Sequence, residues 1–311
     1  MEIIHITKEN LATAIFQQPV AAAFGFFDGL HLGHKALIDA TKTYAEENGV
    51  KSAVITFDPS PSLVLKKFSD RREITPMNEK QRLLEQWNID VLFIIDFNEH
   101  VAAIDHEVFL EQLIASIDLV HLVVGFDFHY GHKGAGDVHS LQEYSKTHNQ
   151  FSLTVIDEQN FNGEKISSSA IRDAITDGQM EAVVPLLGRS YCISGVVVHG
   201  FKRGRTIGFP TANIPLDSYV MPKFGVYVTH FYIDDKIYRG ITNVGLTPTF
   251  AEDIPALTET FIFDFNDEIY DKLATVEFLH YIRPELKFDS VDELIDRMND
   301  DAEYARKYFA K

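Results

Sequence analysis

The segment Gly25-Phe26-Phe27-Asp28-Gly29-Leu30-His31-Leu32-Gly33-His34 decides how the first half of the chain is read. It leaves an apolar run, residues 20–27, and enters an amphipathic stretch, residues 34–47. A glycine-rich turn between a strand and a helix lets backbone approach a ligand closely, and the helix then points N–H groups at any phosphate placed there. His31 and His34 stand three apart, so their rings project to similar positions around the first turn. Two imidazoles so placed can donate hydrogen bonds to phosphate oxygens as negative charge moves onto a leaving group.

Outward from this turn the same alternation continues. Apolar runs recur at residues 52–57, 91–97, 120–126 and 151–156, separated by helical patterns at 78–87, 106–117 and 139–148, with one more at 170–179. Near-continuous apolar strands alternating with helices predict an α/β domain, a Rossmann-like parallel sheet covered on both faces. From residue 186 the pattern changes to short runs rich in Val, Ile, Tyr, Phe and Thr, at 191–199, 225–233, 236–244, 258–265 and 273–281. Asp234-Asp235 reads as a hairpin turn between two of them. These runs predict an antiparallel β-barrel, closed off by a terminal helix at 290–309 whose Leu294, Met298, Ala302 and Ala305 fall on one side. A chain of 311 residues is long enough for two cores, and the expected domains are 1–184 and 185–311.

Bulk properties narrow the function. Hydrophobic residues at 45% and charged residues at 24% indicate a folded globular chain. One cysteine, Cys192, cannot form an internal disulfide or a thiolate cluster for zinc. There is no basic leader and no run of 18 apolar residues, which predicts a cytoplasmic protein. A net charge of −18 argues against nucleic acid or anionic membranes as partners. It does not exclude a nucleotide, because a few local cations and backbone N–H groups can hold a small anion inside an acidic protein.

Further clusters carry chemistry. Ser167, Ser168 and Ser169 precede a helix that includes Arg172, a pattern that reads either as a helix cap or as a second phosphate grip. The stretch 125–137 follows a strand and contains Asp127, His129, His132 and Lys133 among glycines; Lys133 suits a phosphate. Its two histidines together with His31 and His34 leave a four-histidine zinc site as an alternative. In the second half, Gly200, Lys202, Arg203, Gly204, Arg205 and Gly208 lead into Thr211 and Asn213, whose side chains face the same way in an extended segment and suit a hard cation. Glu259 interrupts a strand-like run; facing a pocket, its carboxylate could take a proton from an attacking hydroxyl.

The ordered set FDGLHLGH, GFDFHYGHKGAGD and ISSSAIR resembles the adenylyltransferase half of the prokaryotic bifunctional riboflavin kinase/FMN adenylyltransferase family. GRTIGFPTAN, GVYV, the stretch from Asn243 to Thr249, and IRPELKF resemble its riboflavin kinase half. The resemblance implies two reactions: riboflavin and ATP give FMN and ADP, then FMN and ATP give FAD and pyrophosphate, with Mg2+ in both. It implies that Gly25, Phe27, Asp28, Gly29, His31 and His34 bind and transfer, that Ser167, Ser168 and Arg172 handle phosphate, and that Phe57, Asp58, Pro59 and Asp127 line the nucleotide and flavin pocket. It further implies that Thr211 and Asn213 hold Mg2+, that Glu259 activates the ribityl hydroxyl, and that residues 200–208 cover the phosphates. Phe26, Ser60, Ser169 and Asp271 stand where the family usually has Asn, His, Thr and Gly. Two alternatives stay open: a riboflavin kinase whose adenylyltransferase domain is weak or inactive, and a non-catalytic flavin-binding protein.

Overall fold

The structure is a computed structural model that describes residues 1–65, 72–200, 208–216, 218–245 and 256–311. By its contacts the chain divides into two units, Met1–Arg71 with Thr75–Ile166, and Arg72–Ile74 with Ser167–Lys311.

The first unit opens with β1 (Glu2–Ile6) and β2 (Phe16–Phe24), then α1 (Leu32–Asn48), β3 (Lys51–Asp58) and a short α2 (Pro61–Val64). It continues through α3 (Met77–Gln86), β4 (Val91–Asp96), a short α4 (Glu99–Ala102), α5 (His106–Ser116) and β5 (Ile117–Gly125). A small hairpin, β6 (His129–Tyr130) and β7 (Gly136–Asp137), precedes α6 (Val138–His148) and β8 (Ser152–Ile156). Another pairs β9 (Asn160–Phe161) with β10 (Glu164–Lys165). The six long strands form one parallel sheet in the order β1-β4-β3-β2-β5-β8. Its central strands are largely apolar because both faces are covered: Ala21, Ala22, Ala23, Val54, Ile55, Phe93 and Val123 are completely buried. Helix α1 is docked through Tyr44, whose ring stacks on His121 of β5 at 3.7 Å. His121 also pairs with Ser152 Oγ at 2.7 Å, and burial pushes its pKa down to about 4, so the ring is neutral at pH 7.

The second unit begins with α7 (Ser168–Thr176) and α8 (Met180–Leu187), followed by β11 (Tyr191–Val196), β12 (Thr211–Pro215), β13 (Gly225–Ile233), β14 (Lys236–Gly245), β15 (Leu257–Ile262), β16 (Leu273–Arg283) and α9 (Val291–Phe309). The strands form an antiparallel sheet in the order β11-β16-β13-β14-β15-β12, and its two edges meet where Val198 N–H donates to Asn213 O at 2.8 Å. The β13–β14 turn places Asp234 and Asp235 at φ 48° and 60°, the geometry that suits a right-twisted hairpin. Asp271 stands at φ 62°, a conformation glycine adopts without strain, which accounts for the glycine usual there in the family that the sequence resembles. Inside the barrel, Thr229, Thr242 and Thr260 are fully buried and share a ladder of hydroxyl hydrogen bonds at 2.8 and 2.9 Å. Outside it, Ala302 and Ala305 of α9 pack on Val226, Val228, Ile241 and Phe263.

Sequence reasoning puts the junction between residues 184 and 185, whereas the contacts change hands between Ile166 and Ser167. The reason is packing: Ile171, Ala174, Ile175, Met180, Val183 and Leu187 of α7 and α8 join the same apolar core as Tyr191, Tyr227 and Phe278.

Candidate active sites

In the parallel sheet the direction of connection reverses between β2 and β5, and ligands bind where loops diverge at such a switch point. The loop leaving β2 is the glycine-rich segment. Its Gly25 N–H is anchored to Ile55 O at 3.1 Å, and Gly29 stands at φ 90°. Phe27 is not the end of the strand, as the apolar run suggests; it lies at φ 57°, a conformation that costs a non-glycine residue about 1–2 kcal/mol. Its ring is buried and meets the His34 ring edge-on at 5.2 Å. Asp28 is buried too, and Oδ1 accepts the Thr75 N–H at 3.3 Å.

His31 is the N-cap of α1: its Nδ1 accepts the His34 N–H at 3.2 Å. In the neutral ring an accepting Nδ1 puts the proton on Nε2, which makes that nitrogen a donor. The His31 and His34 rings stack at 3.6 Å and 13°, so the expected convergence is observed. A Cβ on Gly33 would lie 3.0 Å from His31 Cε1, so the absence of a side chain there is what lets the ring lie over the helix start.

Around the same sheet edge, Phe57 at the end of β3 packs on Phe24 and Phe97 at 5.4 and 5.2 Å, and Asp58 joins Pro59 through a cis peptide. Ser60 is buried, its hydroxyl 2.7 Å from that of Ser62. Asp127, just past β5, accepts from Lys165 Nζ at 2.8 Å, and that ammonium also lies over the Phe126 ring at 4.5 Å. Lys133 is exposed on a single turn at φ 54°. His129 and His132 are each tied through Nδ1 to a carbonyl, of Asp127 and Ala102. Among the described residues no group of three or more His, Cys, Asp or Glu is placed to hold a metal.

Ser167 caps α7 by accepting the Ala170 N–H at 3.2 Å, and Arg172 Nη1 donates to Arg72 O at 3.0 Å. With Ser168 they belong by contact to the second unit. The structure thus gives Ser167 its capping role.

In the barrel, strand register assembles the site. Glu259 on β15 stands directly between Asn213 on β12 and Asn243 on β14. Residues paired across adjacent strands have Cβ atoms roughly 5 Å apart, so these three side chains form one polar row. Thr258 and Thr260 point inward and are buried, so alternation turns Glu259 outward, into a cleft that it lines with Thr211, Asn243, Arg283, Leu294 and Met298. The cleft is roofed by the start of α9, which a buried ion pair holds down: Arg283 Nε lies 3.0 Å from both Asp301 carboxylate oxygens and Nη2 2.6 Å from Oδ2. The apolar stripe of α9 is therefore divided between two tasks, Leu294 and Met298 over the cleft and the alanines on the barrel.

A second cleft is lined by Gly200, Pro210, Thr211, Asn213, Asp267 and Tyr270. Thr211 borders both clefts. Asn213 is buried, and its Oδ1 finds no partner among the described residues. An oxygen so placed, with the Thr211 hydroxyl two residues away, fits the oxygen ligands that Mg2+ takes alongside phosphate and water. Gly208 lies at φ 88°, while Lys202, Gly204 and Arg205 fall outside the described residues. A Cβ on Gly200 would stand 2.5 Å from Asn213 Nδ2. Gly200→Ala is therefore expected to displace the Asn213 amide and to lower the flavin phosphorylation that the sequence resemblance implies by about tenfold to a hundredfold, since about 1 Å of misplacement can cost that much. Initial rates of FMN formation check it.

The description FAD synthetase matches residues 14–170, and riboflavin kinase matches residues 187–309. Among characterised proteins, the bifunctional riboflavin kinase/FMN adenylyltransferase of Bacillus subtilis is 39% identical over 314 residues, covering 100% of this chain and 99% of its own. The protein of that name from Listeria monocytogenes is 39% identical over 291 residues, 93% of this chain and 92% of its own. The chain belongs to the bifunctional riboflavin kinase/FMN adenylyltransferase family. A solved structure from Streptococcus pneumoniae, described as a macrolide-efflux protein, is 33% identical with a TM-score of 0.87, covering 98% of this chain and 99% of its own. That description stays with the other protein; no helix among the described residues here is long and apolar enough to cross a membrane.

Within this family fold, sequence reasoning missed Asn243 as Glu259's neighbour and the Arg283–Asp301 pair that fixes the cleft roof. An Asn within an otherwise apolar run, and an Arg at a strand end before proline, were the available signals.

Proposed function

We propose that the barrel unit makes FMN and ADP from riboflavin and ATP, and that the parallel-sheet unit makes FAD and pyrophosphate from FMN and a second ATP. One observation carries the two-reaction reading: the match to relatives named for both activities runs through both units, over 100% of this chain in one case.

In the kinase site, Glu259 accepts the proton of the terminal ribityl hydroxyl as its oxygen bonds to the γ-phosphorus; the bond to the bridging oxygen breaks and ADP departs. Asn213 and Asn243 stand on either side of Glu259 in the strand register. Because Thr211 borders both clefts, the flavin and nucleotide meet there, with Gly200 at the phosphate side; Gly208 enters on its motif alone. Asn213 Oδ1 and the Thr211 hydroxyl would hold Mg2+, which neutralises phosphate charge when bound. In the adenylyl site, an FMN phosphate oxygen attacks the α-phosphorus of ATP. His31 and His34 donate to the phosphate oxygens as pyrophosphate leaves, and the start of α1 adds its N–H groups. Gly25, Phe27, Asp28 and Gly29 shape that loop; Phe57, Asp58, Pro59, Asp127 and Lys133 surround the ligands at the sheet edge. Ser167, Ser168 and Arg172 enter the proposal on their motif alone.

Purified protein incubated with riboflavin and ATP, with and without Mg2+, tests the reading when FMN and FAD are separated over time. FMN should appear first and FAD after it, both only with Mg2+. FMN without FAD would leave a kinase alone, and neither product would leave a flavin-binding protein.

A further inference from the structure

Lys80 on α3 is fully buried, an unusual place for an ammonium, which must be compensated where it lies. Its Nζ donates to the backbone carbonyl of Phe26 at 2.9 Å and sits 4.6 Å from the centre of the Phe26 ring. The same carbonyl accepts Thr56 Oγ1 of β3 at 3.0 Å. It belongs to the peptide that leads into Phe27, the residue held at positive φ, whose ring abuts His34. A contiguous line of contacts thus runs from Lys80 through the Phe26–Phe27 peptide to one of the two stacked imidazoles. None of the loop's own side chains makes these two bonds; they come from a helix and a strand packed behind it.

We propose that Lys80, seconded by Thr56, is a positioning residue for adenylyl transfer, setting the orientation of the Phe26–Phe27 peptide and through it the His34 ring. The carbonyl dipole, turned towards a buried cation, fixes the turn that the chain itself disfavours. Phe26 contributes through its backbone and through the ring face it presents to the ammonium, a function the usual asparagine's side chain does not share. The inference rests on the reading that His31 and His34 carry the adenylyl transfer.

The test is a double-mutant cycle on conversion of supplied FMN to FAD by the full chain. Lys80→Met should lower kcat by about 30-fold with KM for FMN changed less than about twofold, because the loss falls on alignment in the transition state. Riboflavin phosphorylation by the same protein should be unchanged. In a His34→Ala background, Lys80→Met should cost less than about threefold, since the group it positions is gone. A merely structural lysine would give independent, multiplicative losses. Thr56→Val, which is nearly isosteric, should show the same pattern at smaller size and keeps the question answerable if Lys80→Met does not fold. If His34→Ala impairs FAD formation but the losses multiply, or if both variants keep the full kcat, the inference is overturned alone. If His34→Ala leaves FAD formation intact, the site reading falls and takes this inference with it.

Discussion

Glu259→Gln should lower kcat for FMN formation by about 10³-fold, within the range a positioned general base contributes. The substitution keeps the shape of the side chain and its place in the β14–β15–β12 register, between Asn243 and Asn213. What it removes is the capacity to take a proton, because an amide is not a base at neutral pH. Conversion of supplied FMN to FAD should proceed at the unaltered rate, since that chemistry is assigned to the other unit. Chromatographic separation of the two flavins, with riboflavin or FMN as the starting material, reads both effects in one protein. A kinase rate within tenfold of the original would remove Glu259 from the role of base. Loss of both reactions in a folded variant would contradict the assignment of one reaction to each unit.

The second large effect is expected at the other site. On the proposed reading His31→Ala deletes a phosphate donor and should reduce FAD formation by about 10²–10³-fold, the usual consequence of losing one preorganised donor. It also deletes the N-cap of α1, which costs about 1 kcal/mol of stability. His31→Ser separates the two contributions. Serine is a strong N-cap and can accept the His34 N–H, so stability in a denaturant titration should recover by about that amount. It carries no imidazole Nε2, so FAD formation should remain as low as in the alanine variant. Recovery of activity together with stability would mean that His31 acts only as a cap. In both variants FMN formation from riboflavin should be unaffected.

The parallel sheet was legible because its strands are buried on both faces and therefore read as apolar runs. The edge strands are less covered: β8 has no fully buried residue, and β1, with Ile6 alone buried, has a mixed pattern that no apolar run marks. The helical pattern in the sequence runs through Ile117, which in the structure is the first residue of β5; α5 runs into the strand without a loop, and an apolar residue there satisfies either period. That His31 and His34 project to similar positions followed from their spacing; that their rings stack is seen only in the structure. The positive φ of Phe27 did not, because nothing in a phenylalanine announces a left-handed turn; bonds from Thr56 and Lys80 hold the peptide before it. The allegiance of α7 and α8 was equally hidden. Their apolar stripes declare that they must pack but not on which core, and they pack with the barrel.

By itself, then, the sequence determined the chemistry available and the order of its pieces along the chain: a glycine-rich turn with two histidines, an oxygen pair at Thr211 and Asn213, and a carboxylate in a strand. Local periodicity suffices for that, since the face a side chain occupies depends on its near neighbours. Tertiary structure decided which of these groups meet. Glu259 stands between Asn213 and Asn243 only because strands distant in the chain settle into one hydrogen-bond register, and a slip of one residue would turn its side chain to the opposite face. That register is chosen by the packing of the whole barrel, and no local stretch of sequence contains it.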